Sequence, residues 1–119
     1  MAETQKRKTY DLEERTLEFA KRVNGYTNKL PKTITNIENG KQLTRAAGSV
    51  GANYIEANES LSKKDFAMRI KICRKESKES RYWLELSEPI AEFDAEKHAL
   101  INESAELTKI FGSIVEKTR

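Results

Sequence analysis

The sequence predicts an all-α protein, an antiparallel up-down-up-down four-helix bundle. Three observations carry this. Apolar residues recur every three or four positions through four long stretches, the spacing of a buried helical stripe. The connections between those stretches are short, which makes consecutive helices neighbours. Turn formers are scarce, with 5 Gly and 2 Pro in 119 residues, and no run alternates strictly enough to compete as a strand.

In chain order, residues 1–9 are polar, carry Lys6, Arg7 and Lys8, and are expected to form a frayed basic tail. Residues 10–119 are expected to form one bundle domain. The first helix should start near Asp11, with Glu14 completing a capping box. Leu12, Thr16, Phe19, Val23, Tyr26 and Leu30 share its inner face, and Pro31 ends it by forcing the preceding residue out of the α region. Thr35 with Glu38 reads as a second capping box, so the second helix is expected over 36–60. Its inner face is Leu43, Thr44, Ala47, Val50, Gly51 and Tyr54. Gly40, Gly48 and Gly51 each weaken a helix by ~1 kcal/mol relative to alanine, which points to close approach by a neighbouring backbone or, at Gly40, to a break.

Ser62 followed by Asp65 marks the start of the third helix, with Leu61 placed to staple onto Phe66. This helix is expected over 63–88, with Pro89 disturbing its end. Phe66, Ile70, Cys73, Ser77, Ser80 and Leu84 form its core stripe, and the two serines imply close packing. A second apolar strip, Met68, Ile72, Trp83 and Leu86, lies roughly 100–150° round the helix. One stripe suffices for a monomeric bundle, so the second is a candidate oligomer interface. The fourth helix is expected over 95–117, with Leu100, Ser104, Leu107, Phe111 and Ile114 inward and Val115 beside them.

Composition excludes several classes. No stretch approaches the roughly 18 apolar residues of a membrane span. The N-terminus has basic residues without an apolar segment after them, unlike a signal peptide. Cys73 is the only cysteine, so no internal disulfide can form, and a reducing cytoplasm is expected. The net charge of +3 is modest.

Two polar sets are candidate sites. Arg45, Ser49, Asn53 and Glu56 line one side of the second helix. They suit either a hydrogen-bonded network with Glu76 and Glu79 of the third helix or a ligand contact. Lys64, Lys71, Arg74, Lys75, Lys78 and Arg81 form a basic arc on the third helix. There are eight basic and three acidic residues between Lys63 and Arg81. Such an arc can bind phosphate, or simply be a solvated face with Lys75–Glu79 and Lys78–Glu85 giving charge relief. Tyr82 and Trp83 could stack on bases, although Trp83 fits an interface better. His98 has no ligand partners at metal spacing, and Cys73 reads as a small buried hydrophobe. No catalytic constellation or cofactor motif appears, so neither an enzyme nor a cofactor is expected.

The run from Gln42 to Ala57, QLTRAAGSVGANYIEA, resembles a family signature. So do Ser62-Lys63-Lys64-Asp65-Phe66, Lys75-Glu76-Ser77-Lys78-Glu79-Ser80, Leu30-Pro31-Lys32 and Tyr82-Trp83-Leu84. The chain is similar to the bacterial proteins first noticed as reading frames in intervening sequences of 23S ribosomal RNA genes. The resemblance implies an antiparallel four-helix bundle, and a homopentameric ring as in several family members. It also implies kinship with the accessory protein of diversity-generating retroelements, a basic pentamer that binds nucleic acid. The expected function is therefore a non-enzymatic homo-oligomeric bundle. The alternative is a nucleic-acid-binding accessory protein using the basic helix faces of a ring to contact RNA or DNA.

Overall fold

A computed structural model describes residues 11–119. The expected basic tail at 1–9 lies outside these residues, and of Asp11 the backbone alone is described, so its expected side-chain cap lies outside the description too. Among the described residues all regular structure is helical. The elements are α1 (Asp11–Asn28), α2 (Ile34–Asn58), α3 (Lys63–Leu86) and α4 (Asp94–Lys117), with a 3-10 turn, Ala91–Phe93, leading into α4.

Local chemistry sets the boundaries. Ser62 accepts a hydrogen bond from the Asp65 amide, as its spacing predicts, and α3 begins at the next residue. The start of α2 corrects the sequence reading. Its cap is Thr33, which accepts from the Asn36 amide, and not Thr35. The helix thus begins two residues early because Asn36 is drawn into a buried site, described below. Gly40 interrupts nothing, since α2 runs through it. Leu61 forms no staple on Phe66, because it is 98% exposed at the tip of the α2–α3 turn.

The core gathers the expected stripes. Phe19, Val23, Leu43, Val50, Ile70, Leu84, Leu100, Leu107 and Phe111 are almost wholly buried. Each such side chain contributes roughly 1.5–3 kcal/mol by leaving water. Two assignments move by one or two positions. Thr44 is exposed and Ala46 takes its place inside, while Val115 is buried and Ile114 only partly so. Both shifts are within the angular error of an ideal wheel applied to a real helix.

Small residues do bring helices together. A Cβ on Gly51 would stand 2.9 Å from Thr16 Oγ1 and 3.2 Å from Thr16 Cβ, so α1 and α2 touch at the backbone there. Gly48 and Gly40 meet nothing within 4 Å, so close packing inside the bundle does not account for them. The buried hydroxyls are satisfied by their own helices: Ser77 donates to Cys73 O, Ser80 to Glu76 O and Thr16 to Leu12 O.

α1 packs on α2 and α4, and α3 packs on the same two helices, which puts α1 and α3 across the bundle from each other. Along α1 and α4 the paired residue numbers run in opposite directions. Arg15 bonds Glu103 at 2.7 and 2.9 Å, and Arg22 reaches Glu96 at 3.4 Å.

Candidate functional site

The polar seam between α2 and α3 is built from residues one helical turn apart. Arg45 is its centre. Its guanidinium reaches Glu76 at 3.3 Å, Glu79 at 3.0 Å and Gln42 Oε1 at 3.3 Å. Lys75 lies 3.8 Å from the other Glu76 oxygen. Glu76 is buried, so it depends on these cations. A buried carboxylate without a partner is strongly destabilising. A second cluster sits two turns along α2. Asn53 donates to Ser49 O and Oγ at 2.9 Å, and accepts from Arg69 at 3.0 Å. The polar residues thus form two separate clusters across α2 and α3, one around Arg45 and one around Asn53. Glu56 does not join it. Its side chain is exposed, and its backbone carbonyl accepts from Ser60 Oγ.

Sequence reasoning missed Arg69, although the wheel places it on the same seam as Asn53. It also missed Asn36, for which no local pattern gives a signal. Asn36 donates to Pro31 O and Glu88 O, and accepts from the Glu88 amide, all at 3.0 Å. Beside it, Tyr26 and Ser87 hydroxyls meet at 2.6 Å in the buried interior. Ser87 Oγ also donates to Leu84 O, so the tyrosine is the donor of the pair. Burial raises the Tyr26 pKa, against the lowering effect of its hydrogen bond with Ser87, with the Asp94 charge adding to the rise. Lys97 closes the end of α3 by donating to Ser87 O at 2.8 Å.

The outer face of α3 mixes charge with apolar surface. Lys64, Lys71, Lys75 and Lys78 are exposed along it, and Met68, Tyr82 and Leu86 sit among them at 54%, 56% and 42% exposure. Arg81 pairs with Glu85 at 3.3 Å. Arg74 lies across α4, where a Cβ on Gly112 would stand 3.7 Å from its Cδ. The expected charge relief from Lys75–Glu79 and Lys78–Glu85 is replaced by Arg45–Glu79 and Arg81–Glu85. The candidate interface strip divides. Met68 and Leu86 point outward, whereas Ile72 and Trp83 are half-buried, with Trp83 packed on the core. Its indole Nε1 is buried without a hydrogen-bond partner, and its ring meets Tyr82 edge-on at 5.0 Å.

Cavities lie away from the polar seam's centre. One of about 400 Å³ is at the α1–α2 turn, between Leu30, Pro31, Asn36 and Thr44. Another of about 300 Å³, at the α2–α3 turn, is lined by Glu56, Glu59, Asp65 and Arg69. Among the described residues no group of three or more His, Cys, Asp or Glu could hold a metal ion. His98 is exposed. Cys73 is buried and its pKa is pushed up to about 12, chiefly by burial. Among the described residues no helix is long and apolar enough to cross a membrane.

These features define a small all-helical protein with a polar seam and a basic, partly apolar outer face. Residues 8–113 match the family described as 23S rRNA-intervening sequence protein, and the chain belongs to that family. It is also similar to a crystal structure of a protein of unknown function from the S23 ribosomal protein family of Bacteroides thetaiotaomicron. The TM-score is 0.72 and the identity 30%, over 87% of this chain and 96% of that one. No curated protein matches.

Proposed function

We propose that this protein is a non-enzymatic, cytoplasmic, homo-oligomeric antiparallel up-down-up-down bundle. One observation carries the reading: the outer face of α3 exposes apolar surface at both ends, Met68 at one and Tyr82 with Leu86 at the other. Soluble monomers keep such patches small, and larger ones mark interaction sites. The polar seam supports a structural role, since Arg45, Glu76 and Glu79 satisfy one another. A ring of five rests on the resemblance to pentameric family members alone. Sedimentation at micromolar concentration tests the reading, and a monomer there overturns it.

A second reading uses the same face. Lys64, Lys71 and Lys78 recur every seven residues, and among the described residues they form no ion pair. They suit the phosphates of RNA or DNA, as in the accessory protein of diversity-generating retroelements. Binding by this route weakens steeply with salt as counterions are released. Replacing Lys71, Lys75 and Lys78 with Glu should abolish it with helicity intact. No binding to RNA or DNA at low salt removes this reading.

A further inference from the structure

We propose that the outer face of α3 docks on the outer face of α1 from a second copy, joining subunits head to tail. This rests on the self-association reading above and specifies which surfaces meet.

The two faces are complementary in charge. The α3 face offers Lys64, Lys71, Lys75 and Lys78 around Met68 and Tyr82, and its acids are Asp65, Glu79 and Glu85, Glu79 held by Arg45 and Glu85 by Arg81. The α1 face offers Glu13, Glu14 and Glu18 around Leu17, which is 55% exposed, with Lys21 as its exposed cation. Asn58 of α2 donates to Glu13 at 2.8 Å and so fixes that carboxylate without neutralising it. Arg15 and Arg22 turn toward α4, where they bond Glu103 and Glu96. That leaves the outer face of α1 acidic.

The faces also match in length. α1 has 18 residues, about 27 Å of helix, and Met68 to Leu86 spans about the same. Each face also carries exposed apolar side chains among its charges, Leu17 on α1 and Met68, Tyr82 and Leu86 on α3. Mixed apolar and charged surface of this kind occurs at protein interfaces. A nucleic acid would use the lysines and Tyr82 and leave Met68 and Leu86 in water.

Position in the fold then fixes the symmetry. α1 and α3 lie across the bundle, so one copy cannot bring its α3 to its own α1 face. A contact between unlike faces on opposite sides is heterologous. Each copy keeps one face of each kind for the next, and the assembly closes into a ring or continues as a filament.

Charge exchange tests this on the full chain, with sedimentation velocity as the readout and circular dichroism to confirm folding. Lys71→Glu with Lys78→Glu should weaken self-association by about tenfold or more, because like charges then face each other. Glu14→Lys with Glu18→Lys should do the same, and the milder Glu14→Gln with Glu18→Gln should move in the same direction. Combining the two reversals in one chain should restore assembly. If the α3 reversal dissociates the protein while both α1 variants assemble like the parent, the pairing is overturned and self-association stands. A monomeric parent overturns both. A monomeric parent that binds single-stranded RNA through Lys71 and Lys78 assigns the face to nucleic acid instead.

Discussion

The two ends of the bundle are held by different means. At one end the α1–α2 and α3–α4 turns meet, and side chains distant in sequence tie them together. Asn36 bonds both Pro31 and Glu88, Tyr26 bonds Ser87, and Lys97 caps α3. At the other end a single turn, α2–α3, stands beside the start of α1 and the end of α4. There the caps are local: Ser62 serves Asp65, Thr118 donates to Val115 O, and Leu61 projects into solvent. The first end is specified by buried polar groups that have one geometry. The second depends on side-chain packing further in, where Gly51 admits Thr16.

The comparison is most sharply broken at Asn36. Asn36→Ala removes three hydrogen bonds and leaves the Glu88 amide and two carbonyls to find other partners. The expected loss is about 3 kcal/mol, read by urea unfolding. A loss under half of that would mean water already holds the two turns.

Next is Gly51→Leu, which tests the packed half. Overpacking against Thr16 should cost about 1–3 kcal/mol in thermal or urea melts. Gly48→Ala, with open space around it, should instead stabilise by about 1 kcal/mol from helix propensity. Equal effects at the two glycines would refute the close approach of α1.

Tyr26→Phe should cost about 1 kcal/mol, one buried hydrogen bond. It carries a pH signature as well. Tyr26 and Cys73 have folded pKa values raised above their ordinary 10.0 and 9.0, the Cys73 value to about 12. Stability from such groups is fully present below the ordinary value and falls as pH climbs through the raised one. Melting temperature should therefore decline above about pH 9. The decline should be shallower in Tyr26→Phe.

The smallest effect belongs to the tip of the other end. Leu61→Ser should change stability by less than about 0.5 kcal/mol, since this side chain packs on nothing. A large loss would show that Leu61 is covered by another molecule.

Periodicity made the four helices and most of the core legible, because inward residues such as Phe19, Ile70 and Leu107 recur with the helical repeat. The Arg45 link to Glu76 and Glu79 was legible too, as charges on facing helices at turn spacing. Asn36 was not. Its burial comes from two turns meeting in space, and the same burial shifted the cap from Thr35 to Thr33. Trp83, which spacing puts on the second apolar strip, is half-buried and packs on the core. A large ring at the border of a stripe can rotate inward, which residue spacing alone does not encode.

Cys73 turns the interior into a clock. It is the one cysteine of the chain, it is fully buried, and its Sγ donates to Val50 O at 3.4 Å. Thiol reagents attack the thiolate, which burial suppresses here, and they have no path to the sulfur while the core is shut. Labelling must therefore wait for the helices to part. When reclosing outpaces the chemistry, the labelling rate divided by that of a free thiol is the opening equilibrium itself. The unaltered protein thus keeps a record of how often its centre is exposed. Any subunit contact that holds the bundle shut would slow that clock.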